Sequence, residues 1–331
     1  MFNELIDVKE NHIMNVDYEL LSILLYDHSS KQNIIWATDN YSSKGEGYQY
    51  YDHISIEKIT GENGNIIQPR IKKSREEKID RVKNKGEVFT PSWMCNLQIN
   101  VIDKEWFNDK NVFNEEINNG WNTKEKRIDF KKIGKSWEDY ILSNRLEISC
   151  GEAPYIASRY DTVSGRVINI KDRIGFLDRK FRVINENCSD KEWIEWSLNA
   201  IKSVYGYDWQ GDNVLLAREN VLFSYIDYYK NRFATNPSID LIRKVAYIIS
   251  WNIWQMDGIK FVIPDSCVNR EYIDNNIFGE NMMIEKCSGC ENQSIYNHNG
   301  IYCKIMNWKT NRQKRFALLV KGVKRKWIQN F

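Results

Sequence analysis

The hydrophobic pattern alternates between two periods in the second half of the chain. Apolar residues recur at the spacing of an amphipathic helix in three segments: 191–204, 214–229 and 239–249. Short apolar runs, typical of buried strands, precede or separate these segments at 146–149, 204–208 and 252–257. This order of strands and helices predicts βαβ units with a parallel sheet, and therefore an α/β fold.

The first part of the chain has a weaker pattern, which predicts a mixed α+β extension over residues 1–84. Residues 34–38 and 54–58 have the composition of strands, and a glycine- and asparagine-rich turn at 61–64 predicts that the second continues into a hairpin. The charged segment 71–85 is predicted to be a helix.

Three further segments complete the pattern. Helical spacing after Pro91 predicts a helix, with Thr90 and Ser92 as capping residues. Residues 103–137 are charged and rich in asparagine and glycine, which is typical of a linker. Residues 181–184 have the composition of a short strand.

The composition is that of a folded protein. Of 331 residues, 42% are hydrophobic and 28% are charged, which argues against disorder. No apolar run approaches the roughly 20 residues of a membrane helix, and the acidic N-terminus lacks the apolar core of a secretory signal. Seven cysteines without a signal peptide favour a reducing compartment. We therefore expect a cytoplasmic protein without membrane contact.

The net charge of +2 conceals an asymmetry. Glu291 is the last acidic residue, whereas nine of the 47 lysines and arginines follow it. Trp308, Phe316 and Trp327 are interspersed among these bases. Such a segment can follow a phosphate backbone and stack on bases, so it predicts DNA as a partner. A solvated, lysine-rich tail is the alternative.

Three predicted strands end at residues that suit a nucleoside. Gly151 follows the first strand and permits a tight turn against a ligand. Asp208 ends the second strand, where a carboxylate can accept hydrogen bonds from ribose hydroxyls, and Asp257 ends the third, where it can accept from an adenine amino group. Taken singly, each acid also fits a helix cap. Together they favour a ligand that contains adenosine.

Five segments resemble motifs of adenine-N6 DNA methyltransferases of restriction–modification systems, the restriction endonuclease subunit M type. They are GEVFTP at 86–91, LEISCGEA at 146–153, YGYDWQ at 205–210, LAREN at 216–220 and NIWQMD at 252–257. The resemblance implies a Rossmann-like core that binds S-adenosylmethionine, with an incomplete sheet, over residues 85–265.

The resemblance also implies roles for individual residues at the cofactor. Three residues would enclose the methionine moiety: Phe89, Thr90 and Pro91. Glu147 and Gly151 would lie at the methionine amine and the backbone turn, Asp208 at the ribose, Trp209 on the adenine face and Asp257 at the adenine amino group.

The sequence departs from the family at the catalytic motif. In the glycine-rich motif, Ile148 and Ala153 replace a proline and the second glycine. The family's catalytic (N/D)PP(Y/F) sequence would follow a fourth strand, for which 316–320 is the candidate, but the chain contains no Pro-Pro pair. The catalytic residues are therefore unknown, and the sequence ends at Phe331 before the family's remaining strands.

Three interpretations follow from that departure. The chain is the cofactor-binding half of a split methyltransferase, a degenerate paralogue that binds nucleic acid or other proteins without methylating, or an enzyme with a different methyl-transfer site. The open edge of an incomplete parallel sheet favours the first and predicts a second subunit or a homo-oligomer across it.

A cysteine- and histidine-containing motif opens the basic segment 266–331. The spacing of Cys287, Cys290, His298 and Cys303 offers three thiolates and one imidazole, which suits tetrahedral zinc in a small knuckle. Unpaired cytosolic thiols are the alternative. The remaining cysteines, including Cys267, are predicted to be buried hydrophobic residues.

Overall fold

Helices and short strands alternate along the chain in a computed structural model, which describes residues 10–88, 90–276 and 279–320. The described helices are α1 (Glu10–Val16), α2 (Tyr18–Leu25), α3 (Ile56–Ile59), α4 (Arg75–Lys85), α5 (Ser92–Phe107), α6 (Trp137–Leu142), α7 (Phe176–Asn187), α8 (Asp190–Lys202), α9 (Gly211–Phe233), α10 (Ile239–Asn252) and α11 (Ser288–Glu291). The described strands are β1 (Tyr26–Asp27), β2 (Gln32–Asn33), β3 (Asn114–Ile117), β4 (Gly120–Thr123), β5 (Arg145–Ile148), β6 (Val204–Asp208), β7 (Ile253–Gln255), β8 (Arg270–Asn276), β9 (Gly279–Glu285), β10 (Lys304–Asn307) and β11 (Arg312–Arg315). The chain is thus a mixed α/β protein, as predicted.

A three-stranded parallel sheet with the order β5-β6-β7 lies at the centre of the fold. Leu146 pairs with Tyr205, and Tyr207 pairs with Trp254. Helices α7 and α8 connect the first two strands, and α9 and α10 connect the second and third. The predicted order of strands and helices is confirmed here. Because parallel strands need long crossovers, the amphipathic helices follow directly from this pairing.

Helix α9 lies in the interior of the fold. Every residue from 211 to 226 is buried. The main hydrophobic cluster contains α9 together with residues between 13 and 67 and between 95 and 253. The predicted N-terminal extension therefore shares a core with the sheet. The division at 84/85 and 265/266 into three domains stays a prediction.

Arg218 joins the N-terminal segment to the sheet. This buried side chain lies in α9, within the LAREN sequence, and its guanidinium donates hydrogen bonds to the main-chain oxygens of Leu24 and Tyr26 at 2.6 and 3.0 Å. It also donates to the oxygens of Ser250 and Ile253 at 3.1 and 2.8 Å. One buried cation thus satisfies carbonyl groups of four elements, α2, β1, α10 and β7, which fixes their relative positions.

The opposite face of the sheet is covered by the segment that follows β9. Tyr207 and Trp254 pack there against Ile305 and Phe316. Residues 316–318 form a 3₁₀ helix, so the prediction of a fourth strand at 316–320 is wrong. The β10–β11 hairpin supplies this cover instead.

Three other local predictions are also wrong. Residues 54–68 contain α3 and a 3₁₀ turn rather than a hairpin, because Ile56 and Ile59 lie three residues apart and are both buried. Residues 34–38 form no strand beyond an isolated bridge between Ile35 and His53. Residues 181–184 belong to α7, where Phe181 packs on the core.

The predicted linker at 103–137 is folded. It contains the end of α5 and the β3–β4 hairpin. Phe107, Phe113 and Phe130 are buried in one aromatic cluster around Tyr140. Apolar side chains spaced widely among charged residues therefore join this segment to the main hydrophobic core. Among the described helices, none combines the length and apolar character that a membrane span requires.

Candidate functional site

A cavity of about 380 Å³ opens at the carboxyl ends of β5 and β6. Its lining includes five residues that the sequence predicted as cofactor contacts: Thr90, Glu147, Gly151, Asp208 and Trp209. The carboxyl ends of adjacent parallel strands are where ligands bind in open α/β sheets, and the volume suits a small molecule. Clefts of about 430, 490 and 690 Å³ elsewhere on the described surface contain none of these residues.

Asp208 braces the turns around the cavity. Its Oδ2 accepts a hydrogen bond from the main-chain N–H of Gly151 at 2.9 Å. Its Oδ1 accepts from the N–H of Gln210 at 3.1 Å and from Nδ2 of Asn213 at 3.3 Å. Burial raises the pKa of Asp208 to about 6. Only 7% of the residue is exposed, so it faces a ligand over a small area.

Glu147 holds the other wall of the cavity. Its two carboxylate oxygens accept hydrogen bonds from the main-chain N–H groups of Tyr155 and Ile156 at 3.2 and 3.0 Å. Burial raises the pKa of this carboxyl group well above its ordinary value. Glu147 therefore fixes the loop that follows β5 and contributes a second acid beside Asp208.

The loop after β5 is bent by alternating left-handed residues. Ser149, Gly151 and Ala153 have φ angles of 50°, 52° and 59°. A glycine would adopt this conformation without steric cost, whereas the methyl group of Ala153 makes it less favourable. Ala153 thus has a left-handed backbone although it carries a side chain.

Three buried acceptors on the cavity lining lack partners among the described residues. They are Oε2 of Glu87, Oε1 of Gln210 and Oδ1 of Asn213. The other carboxylate oxygen of Glu87 accepts hydrogen bonds from Arg81 at 3.0 Å and Asn213 at 2.8 Å. Buried acceptors without donors are costly, and these three atoms have almost no accessible surface, so a ligand would reach them only after the side chains turn towards the cavity.

The acidic side chains of the cavity lining favour some nucleoside ligands over others. Glu87, Glu147 and Asp208 line the cavity, and no lysine or arginine does. Dinucleotides and nucleoside triphosphates need cations or free N–H groups for their phosphates. A ligand with a positive charge, hydroxyl groups and an amino group fits the carboxylates and the acceptors that lack donors.

A buried ion-pair network supports the segment that precedes the cavity. The Asp212 carboxylate accepts hydrogen bonds from Tyr41 at 2.7 Å and from Arg81, and Lys73 lies 3.4 Å away. Despite burial, the two cations lower the pKa of Asp212. Arg81 pairs with Asp212 and Glu87 at once, so the network connects α4 and the segment directly after it to the start of α9.

Two predicted cofactor residues among the described ones, Asp257 and Pro91, do not line the cavity. The Asp257 carboxylate accepts hydrogen bonds from the N–H groups of Ile259 and Lys260 at 2.8 and 3.0 Å, as a capping residue would. Pro91 is the N-cap residue of α5 and is absent from the lining. Phe89 lies outside the described residues.

Three of the four side chains predicted to bind a metal lie together in the structure, and the fourth, Cys303, does not. Cys287, Cys290 and His298 come together with Cys267, and their ligand atoms all lie within 4.8 Å of one another. Cys303 is fully buried elsewhere, with its Sγ 3.3 Å from the main-chain oxygen of Gln255. Cys267 is therefore the fourth member, not a buried hydrophobic residue.

The predicted stacking aromatics are used within the protein. Phe316 packs against Tyr207 and Trp254, and the Trp308 indole donates a hydrogen bond to Asn252 at 2.8 Å. Trp327 lies outside the described residues. All four residues of β11, RQKR, are exposed. The positive charge of β11 thus remains accessible, whereas Phe316 is buried and Trp308 is half-buried.

Four residues were missed as site components from the sequence: Glu87, Gln210, Asn213 and Cys267. Glu87 lies inside the GEVFTP segment, and the other two lining residues directly follow Asp208, so proximity to the motifs could have indicated them. Cys267 and Cys287 are far apart in sequence, and only the fold brings their sulfur atoms together.

No family model matches the chain, and neither a curated protein nor a solved structure is found to be similar to it.

Proposed function

We propose that the cavity at the ends of β5 and β6 binds S-adenosylmethionine. The observation that carries the proposal is its lining, which has three acids, three buried acceptors without donors and no basic side chain. The ligand has a sulfonium cation, an ammonium group, ribose hydroxyls and an adenine amino group. These groups match the carboxylates of Glu147 and Asp208 and the amide oxygens of Gln210 and Asn213.

The bound cofactor would supply an activated methyl group, and the residues of this chain would position it. Trp209 lines the cavity, where its ring would contact the adenine. The indole is held in place because it donates a hydrogen bond to the Tyr50 hydroxyl at 3.0 Å. The Thr162 hydroxyl donates a hydrogen bond to the main-chain oxygen of Thr90 at 3.2 Å, which holds Thr90 in place. The cavity is thus largely prearranged for one small ligand.

We further propose that the chain is the cofactor-binding subunit of a DNA adenine-N6 methyltransferase of a restriction–modification system. This part rests on the resemblance of the five segments and on the open edge of the sheet. β5 is an edge strand, and its side chains Leu146 and Ile148 are 41% and 66% exposed. Parallel sheets are usually covered on both faces, so an exposed apolar edge favours a second chain that would supply the catalytic motif.

Methylation of DNA by the purified chain, alone and with the products of neighbouring genes, tests this proposal. We expect transfer of a labelled methyl group to adenine N6 only in the mixture. At a cofactor concentration below saturation, Asp208→Asn should lower transfer at least tenfold, whereas Asp240→Asn, at an exposed acid in the first turn of α10, should not. Methylation that is equal for Asp208→Asn and wild type would contradict it.

A second candidate function is nucleic-acid binding without catalysis. It is favoured by the lack of a Pro-Pro pair and by the exposed bases of β11. This alternative predicts salt-dependent DNA binding that Arg312→Ala and Lys314→Ala weaken, with no methyl transfer in any mixture. Binding of S-adenosylmethionine would be compatible with it, so methyl transfer separates the two.

A further inference from the structure

Three sulfur atoms surround one imidazole nitrogen beyond the end of β7. Nδ1 of His298 lies 3.5 Å from Sγ of Cys267 and 3.6 Å from Sγ of both Cys287 and Cys290. One ring nitrogen carries at most one proton and so makes at most one strong hydrogen bond. Three equal distances therefore suggest a common centre rather than three hydrogen bonds.

The distances match a tetrahedral metal. Zinc binds thiolate sulfur at about 2.3 Å and imidazole nitrogen at about 2.0–2.1 Å, so the sulfur–nitrogen edge of its tetrahedron is about 3.5–3.6 Å. We propose that Cys267, Cys287, Cys290 and His298 bind one zinc ion, with Nδ1 as the histidine ligand.

Two glycines permit the ligands to approach. A Cβ atom on Gly289, between Cys287 and Cys290, would lie 2.6 Å from Nδ1 of His298. A Cβ atom on Gly300 would lie 2.9 Å from the main-chain nitrogen and 3.0 Å from Sγ of Cys267. Neither approach tolerates a side chain without displacement. The backbone is therefore shaped around the four ligands, not merely near them.

A hydrogen bond to sulfur supports the same interpretation. The N–H of Asn299 donates to Sγ of Cys287 at 3.3 Å, as expected for a thiolate acceptor in a knuckle. Nε2 of His298 has no partner among the described residues. The main-chain N–H of His298 donates a hydrogen bond to the Tyr302 hydroxyl at 2.9 Å, which holds the backbone at this ligand.

The zinc would be structural and would fix the base of a hairpin. Four protein ligands leave no open coordination position for a substrate. Cys267 lies shortly before β8 and Cys287 directly follows β9, so one ion joins the two ends of the β8–β9 hairpin. In the described part of the chain, neither of these strands pairs with a third strand. Because two strands alone are marginally stable, the metal would supply much of the order of this segment.

Zinc content of the full-length protein, purified under reducing conditions without chelators, tests the proposal. We expect one zinc per chain. Cys267→Ser should lower the apparent zinc affinity at least tenfold in competition with a chromogenic chelator, and Gly289→Ala should also weaken it. Cys303→Ala is the matched control and should retain one zinc, because Cys303 lies outside the cluster.

X-ray absorption at the zinc edge of the wild-type protein keeps the test decisive if a variant fails to fold. Three sulfur ligands and one nitrogen ligand are expected. Four results would overturn the proposal. The first two are protein that holds no zinc after incubation with zinc, and a disulfide among the three cysteines in the reduced preparation. The others are a different ligand set, and loss of zinc in Cys303→Ala but not in Cys267→Ser.

Discussion

The carboxylate of Asp208 accepts a hydrogen bond from the main-chain N–H of Gly151 at 2.9 Å and so joins the ends of two adjacent parallel strands. This bond sets the width of the cavity between the loops after β5 and β6. The same carboxylate also braces Gln210 and Asn213. Asp208 therefore combines a structural role with the ligand contact that we propose, and the two roles need separate measurements.

Replacing Asp208 with asparagine should separate these roles. The amide keeps one acceptor for the turns but loses the charge that would bind a cationic ligand. We expect binding of S-adenosylmethionine to weaken about 10- to 100-fold, since a hydrogen bond to a charged group contributes about 1.5–3 kcal/mol. Isothermal calorimetry gives the affinity, and thermal unfolding of the same sample shows whether the fold is retained. An unchanged affinity in a folded variant would exclude the assigned contact.

The affinity for S-adenosylmethionine should rise with pH between 5 and 7.5. Burial raises the pKa of Asp208 to about 6, so the carboxylate becomes ionised in this range, and its ionised form attracts the cation. The stability of the ligand-free protein should change with pH in the opposite direction to this affinity. The folded protein holds the proton more tightly than the unfolded chain, so this group's contribution to the free energy of unfolding falls as pH rises from 3.8 towards 6.

Calorimetric titrations at several pH values measure this dependence. The rise in affinity should be absent from Asp208→Asn, which has no carboxyl group to titrate. An affinity of the wild-type protein that is constant or decreases from pH 5 to 7.5 would contradict the prediction.

Removing the charge of Asp212 should destabilise the whole fold. Asp212→Asn leaves the buried Lys73 without its ion-pair partner and leaves Arg81 with Glu87 alone, and breaking such a buried pair costs about 3–5 kcal/mol. Tyr41→Phe removes one hydrogen bond from the same carboxylate and should cost only about 1 kcal/mol. Urea unfolding measures both.

The pH dependence of the Asp212 contribution follows from its lowered pKa. The contribution is fully present above the unfolded-state value of 3.8 and is lost as the pH falls through the lower folded-state value. Equal stabilities of Asp212→Asn and wild type at pH 7 would show that the network adds nothing to the fold.

A charge on the open edge of the sheet should prevent assembly without affecting the cofactor. Leu146 is 41% exposed on β5 and does not line the cofactor cavity. We expect Leu146→Lys to retain its affinity for S-adenosylmethionine within about twofold, because the binding contacts are unchanged. It should abolish DNA methylation in the mixture with partner chains. Tyr18→Lys, at an exposed position on α2, is the control and should behave as wild type. Full methylation by Leu146→Lys would place the partner elsewhere.

The sequence predicted the sheet well because its strands and helices have strong periods and end at turn residues. Asp208 and Gly151 were located by their positions after β6 and β5, which the chain order alone determines. Asp257 follows the third strand in the same way, yet its carboxylate is taken up by the N–H groups two and three residues later. Whether an acid at a strand end caps its own turn or faces a ligand depends on the loop geometry, which periodicity does not determine.

The other wrong predictions concern contacts between residues that are far apart in sequence. Cys267 and Cys287 lie far apart in sequence, and only the β8–β9 hairpin between them brings their sulfur atoms together. Cys303 has the better sequence spacing but packs against β7. Phe316 was predicted to stack on bases because basic residues flank it, whereas its burial against Trp254 depends on how the final hairpin covers the sheet.

Direct titration of the purified wild-type chain with S-adenosylmethionine tests the central claim most directly. Calorimetry at pH 7.5 should give one site per chain, with binding weakened in Asp208→Asn and unchanged in Asp240→Asn. An absence of heat and of thermal stabilisation at millimolar S-adenosylmethionine, with a folded protein, would contradict the account.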